Sequence, residues 1–99
     1  MNIDKKETET EITFVLTDEF VTQNLPVLAD EFTRFAKSDS RDAVIDLAFV
    51  QKLNSTAIAA LIRFKNMLTE KGRSMLLVNT NENVLRVLEL SGMDRFLLE

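Results

Sequence analysis

Two short apolar runs, Ala43 to Ala48 (Ala-Val-Ile-Asp-Leu-Ala) and Ser74 to Asn79 (built on Met75-Leu76-Leu77-Val78), are separated by a stretch that itself reads as a complete helix. Each run is short, rich in branched apolar residues and nearly free of charge, so each predicts a strand, and one covered on both faces. Between them Ile58, Leu61, Ile62 and Leu68, flanked by Phe64 and Met67, recur at helical spacing over Ser55 to Lys71. Gly72 then stands where a left-handed C-terminal cap belongs. Strand, helix and strand in this order specify a parallel pair joined by a right-handed crossover.

The rest of the chain extends that unit. Glu11 to Leu16 alternates Ile12, Phe14 and Leu16 with Thr13 and Val15 and predicts a strand, with Met1 to Thr8 as a polar edge strand beside it. Over Asn24 to Ser38 the residues Leu25, Leu28, Ala29, Phe32, Phe35 and Ala36 form an apolar helical stripe, with Pro26 tolerated in the first turn. The cluster Ser38-Asp39-Ser40-Arg41-Asp42 reads as a loop. A further helix starts near Asn81, carries Val84, Leu85, Val87 and Leu88, and ends at Gly92; Met93 to Leu98 reads as a short turn packed by Phe96 and Leu97. The expectation is an α/β chain with one domain over residues 1–99, built on a mixed β-sheet of four to five strands covered by helices.

Composition removes several kinds of chemistry. The 99 residues include no cysteine and no histidine, which excludes a disulfide framework, a Cys/His zinc site, a cysteine nucleophile and a histidine base. The two glycines, Gly72 and Gly92, lie too far apart for a P-loop or a dinucleotide fingerprint. No catalytic residue, metal or cofactor is expected, and the chain is read as a non-enzyme. A net charge of −4 argues against direct nucleic-acid binding. The charged segment Met1 to Glu11 cannot serve as a signal peptide, and no apolar run approaches the ~20 residues that span a bilayer. A cytoplasmic protein without membrane insertion is expected.

Charge is unevenly spread. Residues 51–75 hold Lys52, Arg63, Lys65, Lys71 and Arg73 against Glu70 alone, leaving the remainder strongly acidic. This is either a solvated helix face or a surface attractive to an acidic protein.

At the start of the helix following Ala48, the segment Lys52-Leu53-Asn54-Ser55-Thr56-Ala57-Ile58 places two hydroxyls beside a capping residue. Asn54 or Ser55 serves as the N-cap, accepting a hydrogen bond from an otherwise unpaired N–H of the first turn. Beyond this bland role, the ordered set Val44-Ile45-Asp46-Leu47, Leu53-Asn54-Ser55-Thr56-Ala57, Leu61 to Gly72, Met75-Leu76-Leu77-Val78-Asn79 and Val84 to Met93 resembles the STAS domain family of anti-sigma factor antagonists and sulfate-transporter cytoplasmic domains. In that family the strand-to-helix segment usually reads Asp-Ser-Ser/Thr-Gly, and a partner kinase phosphorylates its first serine. Asn54 and Ala57 depart from this pattern, as does the absence of a glycine from Leu16-Thr17-Asp18-Glu19-Phe20.

The resemblance implies an anti-sigma factor antagonist. Its partners would be a kinase-type anti-sigma factor and a PP2C-type phosphatase, and its phosphorylation site Ser55, with Thr56 as the alternative. Lys52, Asn54, Ser55, Thr56, Ala57 and Ile58 would form the partner-binding surface. Lys52 would either partly neutralise the phosphate or stay solvated; Asp46 would either shape the same site electrostatically or bond loop N–H groups. The departures at Asn54 and Ala57 motivate a second reading, a non-phosphorylated STAS scaffold or accessory subunit of a signalling or transporter assembly.

Overall fold

The structure is a computed structural model that describes residues 3–98. Its element order is β1 (Asp4–Glu7), β2 (Glu11–Thr17), α1 (Leu25–Ser38), β3 (Asp42–Phe49), α2 (Ser55–Thr69), β4 (Met75–Val78), α3 (Glu82–Leu90) and α4 (Asp94–Leu98). The strands form one mixed sheet in the order β1-β2-β3-β4. The β1–β2 pair is antiparallel, and β2–β3 and β3–β4 are parallel. The expected pairing across α2 is therefore present. Of the expected edge strand, Asp4–Glu7 is β1, Thr8 lies beyond it, and Met1 and Asn2 fall outside the described residues.

Register sorts the sheet into two faces. One row runs Ile12–Ala43–Met75 and the next Phe14–Ile45–Leu77, all buried in a core to which α1, α2, α3 and α4 contribute Phe32, Phe64, Val84 and Leu97. The intervening rows, Thr13–Val44–Leu76 and Val15–Asp46–Val78, point the other way, and Leu76 is exposed. The expectation of strands covered on both faces is thus corrected: β3 and β4 alternate, with one face under helices and the other partly open. Asp46, the one charged residue of its run, stands on the open face, where its carboxylate keeps access to water.

Four phenylalanines tie the helices to the sheet. Phe14 of β2 meets Phe32, Phe35 and Phe64 edge-on at centroid distances of 5.6, 5.3 and 6.0 Å, while Phe32 of α1 stacks on Phe64 of α2 at 4.1 Å. At the edge, Lys5 of β1 reaches Glu31 of α1 at 3.2 Å and lies 5.8 Å from the Phe14 ring centroid, so a charged side chain covers the aromatic cluster.

Helix ends are set by identifiable residues. Pro26 sits in the first turn of α1, and Gly72 and Gly92 take φ +72° and +76° after α2 and α3, where a Cβ would be strained. The basic residues read as surface charge prove partly structural. Arg73 donates from Nη1 to Ala36 O at 2.9 Å and lies 4.9 Å from the Phe35 ring centroid, and Lys71 Nζ donates to Ala36 O at 2.7 Å. Both satisfy carbonyls at the negative end of α1. Met93 to Leu98, expected as a turn, contains the five-residue α4. Leu97 is buried as expected, but Phe96 is 38% exposed beside the Lys65 ammonium, because a helical turn that points Leu97 inward directs its neighbour outward.

Candidate functional site

Because β2, β3 and β4 run parallel, the loops that follow them, residues 18–24, 50–54 and 79–81, emerge at the same edge of the sheet. Loops at the C-terminal ends of parallel strands are where such folds usually place recognition groups. The β3–α2 loop is clamped from both sides. Asp18 Oδ1 accepts from the backbone N–H groups of Gln51 and Lys52 at 2.8 and 3.4 Å, and Asn81 Nδ2 donates to the carbonyls of Val50 and Gln51 at 3.0 and 3.5 Å. Buried Val50 and Leu53 anchor the same loop from beneath.

Asn81 also caps α3, its Oδ1 accepting from Val84 N at 2.8 Å, so one side chain couples the start of α3 to the loop that precedes α2. Next to it, Asn79 adopts φ +59°, a left-handed conformation that asparagine tolerates better than most residues, and its amide donates to Asp46 Oδ1 at 3.0 Å. The same Asp46 oxygen accepts from Ala48 N at 3.0 Å. These bonds, Asn79 first, hold the Asp46 carboxyl below its ordinary value. Of the two roles weighed for Asp46, the structure displays hydrogen bonding, to the side chain of Asn79 after β4 and to Ala48 N within its own strand.

At the start of α2 the ambiguity over the cap is resolved. Asn54, in an extended conformation, accepts from Ala57 N at 2.8 Å through its side chain. Ser55 is the first helical residue; it and Thr56 are exposed, and neither hydroxyl hydrogen-bonds to another described residue. With Asn54 doing the capping, the Ser55 hydroxyl is not needed to close the first turn of α2. The first turn of α2 contains no acidic residue, so the positive end of the helix dipole is not offset there by a helical carboxylate.

The structure brings Lys52, Asn54, Ser55 and Thr56 together on the exposed loop and first turn. Ala57 and Ile58, also expected in the partner surface, are 1% and 5% exposed and pack in the core, because their positions in the first turn face the sheet. Phe49 at the end of β3, which the sequence reading passed over, is 65% exposed and adds an aromatic ring to the residues before the loop. Asp18, Asn79 and Asn81 were missed as determinants of the site. The signal for Asp18 and Asn79 is a polar side chain directly after β2 and β4, and for Asn81 it is the capping position before α3.

The STAS domain model matches residues 2–98. The anti-sigma-B factor antagonist of Bacillus subtilis (strain 168) is 26% identical over 93 residues, covering 94% of this chain and 84% of that protein. Among solved structures, the anti-sigma factor antagonist SpoIIAA in its unphosphorylated form superposes with a TM-score of 0.83 at 11% identity, covering 98% of this chain and 86% of that one. An anti-sigma-factor antagonist (STAS) domain protein from Planctomyces limnophilus gives 0.82 at 18% identity, covering 97% and 86%. At these identities the two structures speak for the fold, and the family match spans nearly the whole chain: this protein belongs to the STAS domain family.

Proposed function

We propose that the chain is an anti-sigma factor antagonist that binds a kinase-type anti-sigma factor through the surface around Ser55 and is released when that hydroxyl is phosphorylated. The observation that carries this reading is the exposed Ser55 hydroxyl at the start of α2, without a hydrogen-bond partner among the described residues because Asn54 takes over the capping. Kinship with the Bacillus subtilis anti-sigma-B factor antagonist supports it.

The chemistry of the switch follows from position. A phosphate adds ~1.5–2 negative charges and three acceptor oxygens at the first helical residue, where helix N–H groups and the dipole favour an anion. The fold therefore survives modification. A partner packed on Lys52, Asn54, Ser55 and Thr56 meets new bulk, charge and a desolvation cost, and dissociates. ATP binding and phosphoryl transfer belong to the kinase, dephosphorylation to a PP2C-type phosphatase. The exchange draws on ATP and takes place in the cytoplasm. No helix among the described residues is long and apolar enough to cross a membrane.

The test is incubation of the purified chain with each kinase-type anti-sigma factor of its genome and ATP, followed by native gel analysis and phosphosite mapping by mass spectrometry. A complex before ATP and one phosphate on Ser55 afterwards are expected. A stable complex in which neither Ser55 nor Thr56 is ever modified would favour the scaffold reading.

A further inference from the structure

Beside the first turn of α2, which carries Ser55, α1 and α2 leave a groove of about 390 Å³ between them. On the α2 side it is lined by Thr56, Ala59, Ala60 and Arg63, which recur at the spacing of a single helix face. Leu25, Pro26 and Ala29 line it from α1. The lining is apolar over most of its extent, and its alanines let another chain come close to both helix backbones. Arg63 is the one charged residue of the lining. It is exposed and forms no ion pair among the described residues, although the chain as a whole carries a net charge of −4.

From Thr56 to Arg63 the groove runs about 10 Å along α2, two turns of helix. A segment that fits must fill an apolar slot of that length and bring a carboxylate to its far end. We infer that the groove receives an acidic amphipathic helix of the anti-sigma factor, with apolar side chains on successive turns against Ala59 and Ala60 and a carboxylate paired with Arg63. This rests on the proposed function and deepens it: Thr56 belongs both to the groove and to the turn that carries Ser55, so a helix seated there lies against the residue beside the modified hydroxyl.

The absence of cysteine allows a direct test. Ala59→Cys places a single thiol in the groove, and Glu9→Cys places one on the exposed β1–β2 turn, away from the clamped loops. Maleimide labelling of each chain is followed with and without saturating anti-sigma factor, and the affinity of Arg63→Glu is measured by calorimetry beside its melting temperature. At least tenfold slower labelling of Ala59→Cys in the complex is expected, with Glu9→Cys unchanged. Arg63→Glu should lose at least tenfold in affinity without a change in melting temperature. Loss of binding by folded Ala59→Cys itself would also support a close fit there.

A wild-type complex that leaves the Ala59→Cys thiol labelling at its free rate, or that Arg63→Glu joins unimpaired, overturns the groove while the proposed function stands. Concentration-dependent protection of the thiol without partner assigns the groove to a second copy of the chain and likewise overturns the inference. Failure of the wild-type chain to bind any such kinase overturns the proposed function and this inference together.

Discussion

Replacing Asn54 separates the capping bond from the charge that the family usually places at this position. Asn54→Ala removes the acceptor of the 2.8 Å bond from Ala57 N. Loss of such a cap costs about 1 kcal/mol, which for a domain of this size lowers the melting temperature by about 4–8 °C. Asn54→Asp keeps the acceptor, since aspartate and asparagine cap almost equally well, and adds a charge to a first turn that has no acidic residue. A carboxylate at a helix N-terminus contributes about 0.3–1 kcal/mol at low ionic strength. Asp18, which already binds the N–H groups of Gln51 and Lys52, brings a like charge to the same loop and limits the gain to the lower half of that range. Asn54→Asp should therefore melt about 2–4 °C above wild type in low salt. In 1 M NaCl, where the screening length falls to about 3 Å, the gain should largely disappear. Differential scanning calorimetry of the three proteins at both salt concentrations provides the comparison. An Asn54→Asp chain that melts as low as Asn54→Ala, or a gain indifferent to salt, would refute the assignment of Asn54 as a neutral cap on an uncompensated dipole.

Three further outcomes follow from the packing and the clamped loops. Phe64→Ala opens a void where Phe14, Phe32 and Phe35 converge and should cost about 3–5 kcal/mol in urea unfolding; a loss below 1 kcal/mol would contradict the aromatic cluster as the tie between helices and sheet. Asp18→Ala frees two backbone N–H groups, so hydrogen exchange at Gln51 and Lys52 should speed up while the core of β3 stays protected; unchanged exchange would deny the clamp. Asn79→Gly keeps the left-handed backbone but removes the bond that depresses the Asp46 carboxyl. A depressed carboxyl stabilises the fold above its unfolded value near 3.9, and that increment is lost as pH falls through the lower folded value. The stability gap between wild type and Asn79→Gly should thus be full at pH 6 and narrow below about pH 4; a gap constant with pH would remove Asp46 from the account.

The architecture was legible where one segment carried its own signal. The helix after Ala48 announced itself through the spacing of Ile58, Leu61 and Leu68, and Gly72 and Gly92 marked helix ends because few other residues accept positive φ. The two faces of β3 were harder to read. Val44 and Leu76 look like core residues, yet a sheet face that no helix covers can still carry apolar side chains, and only Asp46 hinted at the exposed side. The candidate site was visible where Asn54, Ser55 and Thr56 adjoin in sequence. It was invisible where Asp18 and Asn81 reach a loop some thirty residues away, because a side chain bonding distant backbone groups leaves no periodic pattern. Lys71 and Arg73 were similarly opaque: their charge reads as surface, and only the folded chain reveals the α1 carbonyls they satisfy.

If Ser55 controls partner binding without controlling the fold, its phosphorylation changes affinity and leaves stability in place. Titration calorimetry of the anti-sigma factor with the unmodified chain and with the same chain phosphorylated at Ser55 compares the two states, with melting temperatures recorded alongside. Phosphorylation should lower the affinity at least about tenfold, equivalent to about 1.4 kcal/mol, with a melting temperature no lower than that of the unmodified chain. Equal affinities of the two forms, or a phosphorylated chain that binds poorly because it has unfolded, would contradict that role of Ser55.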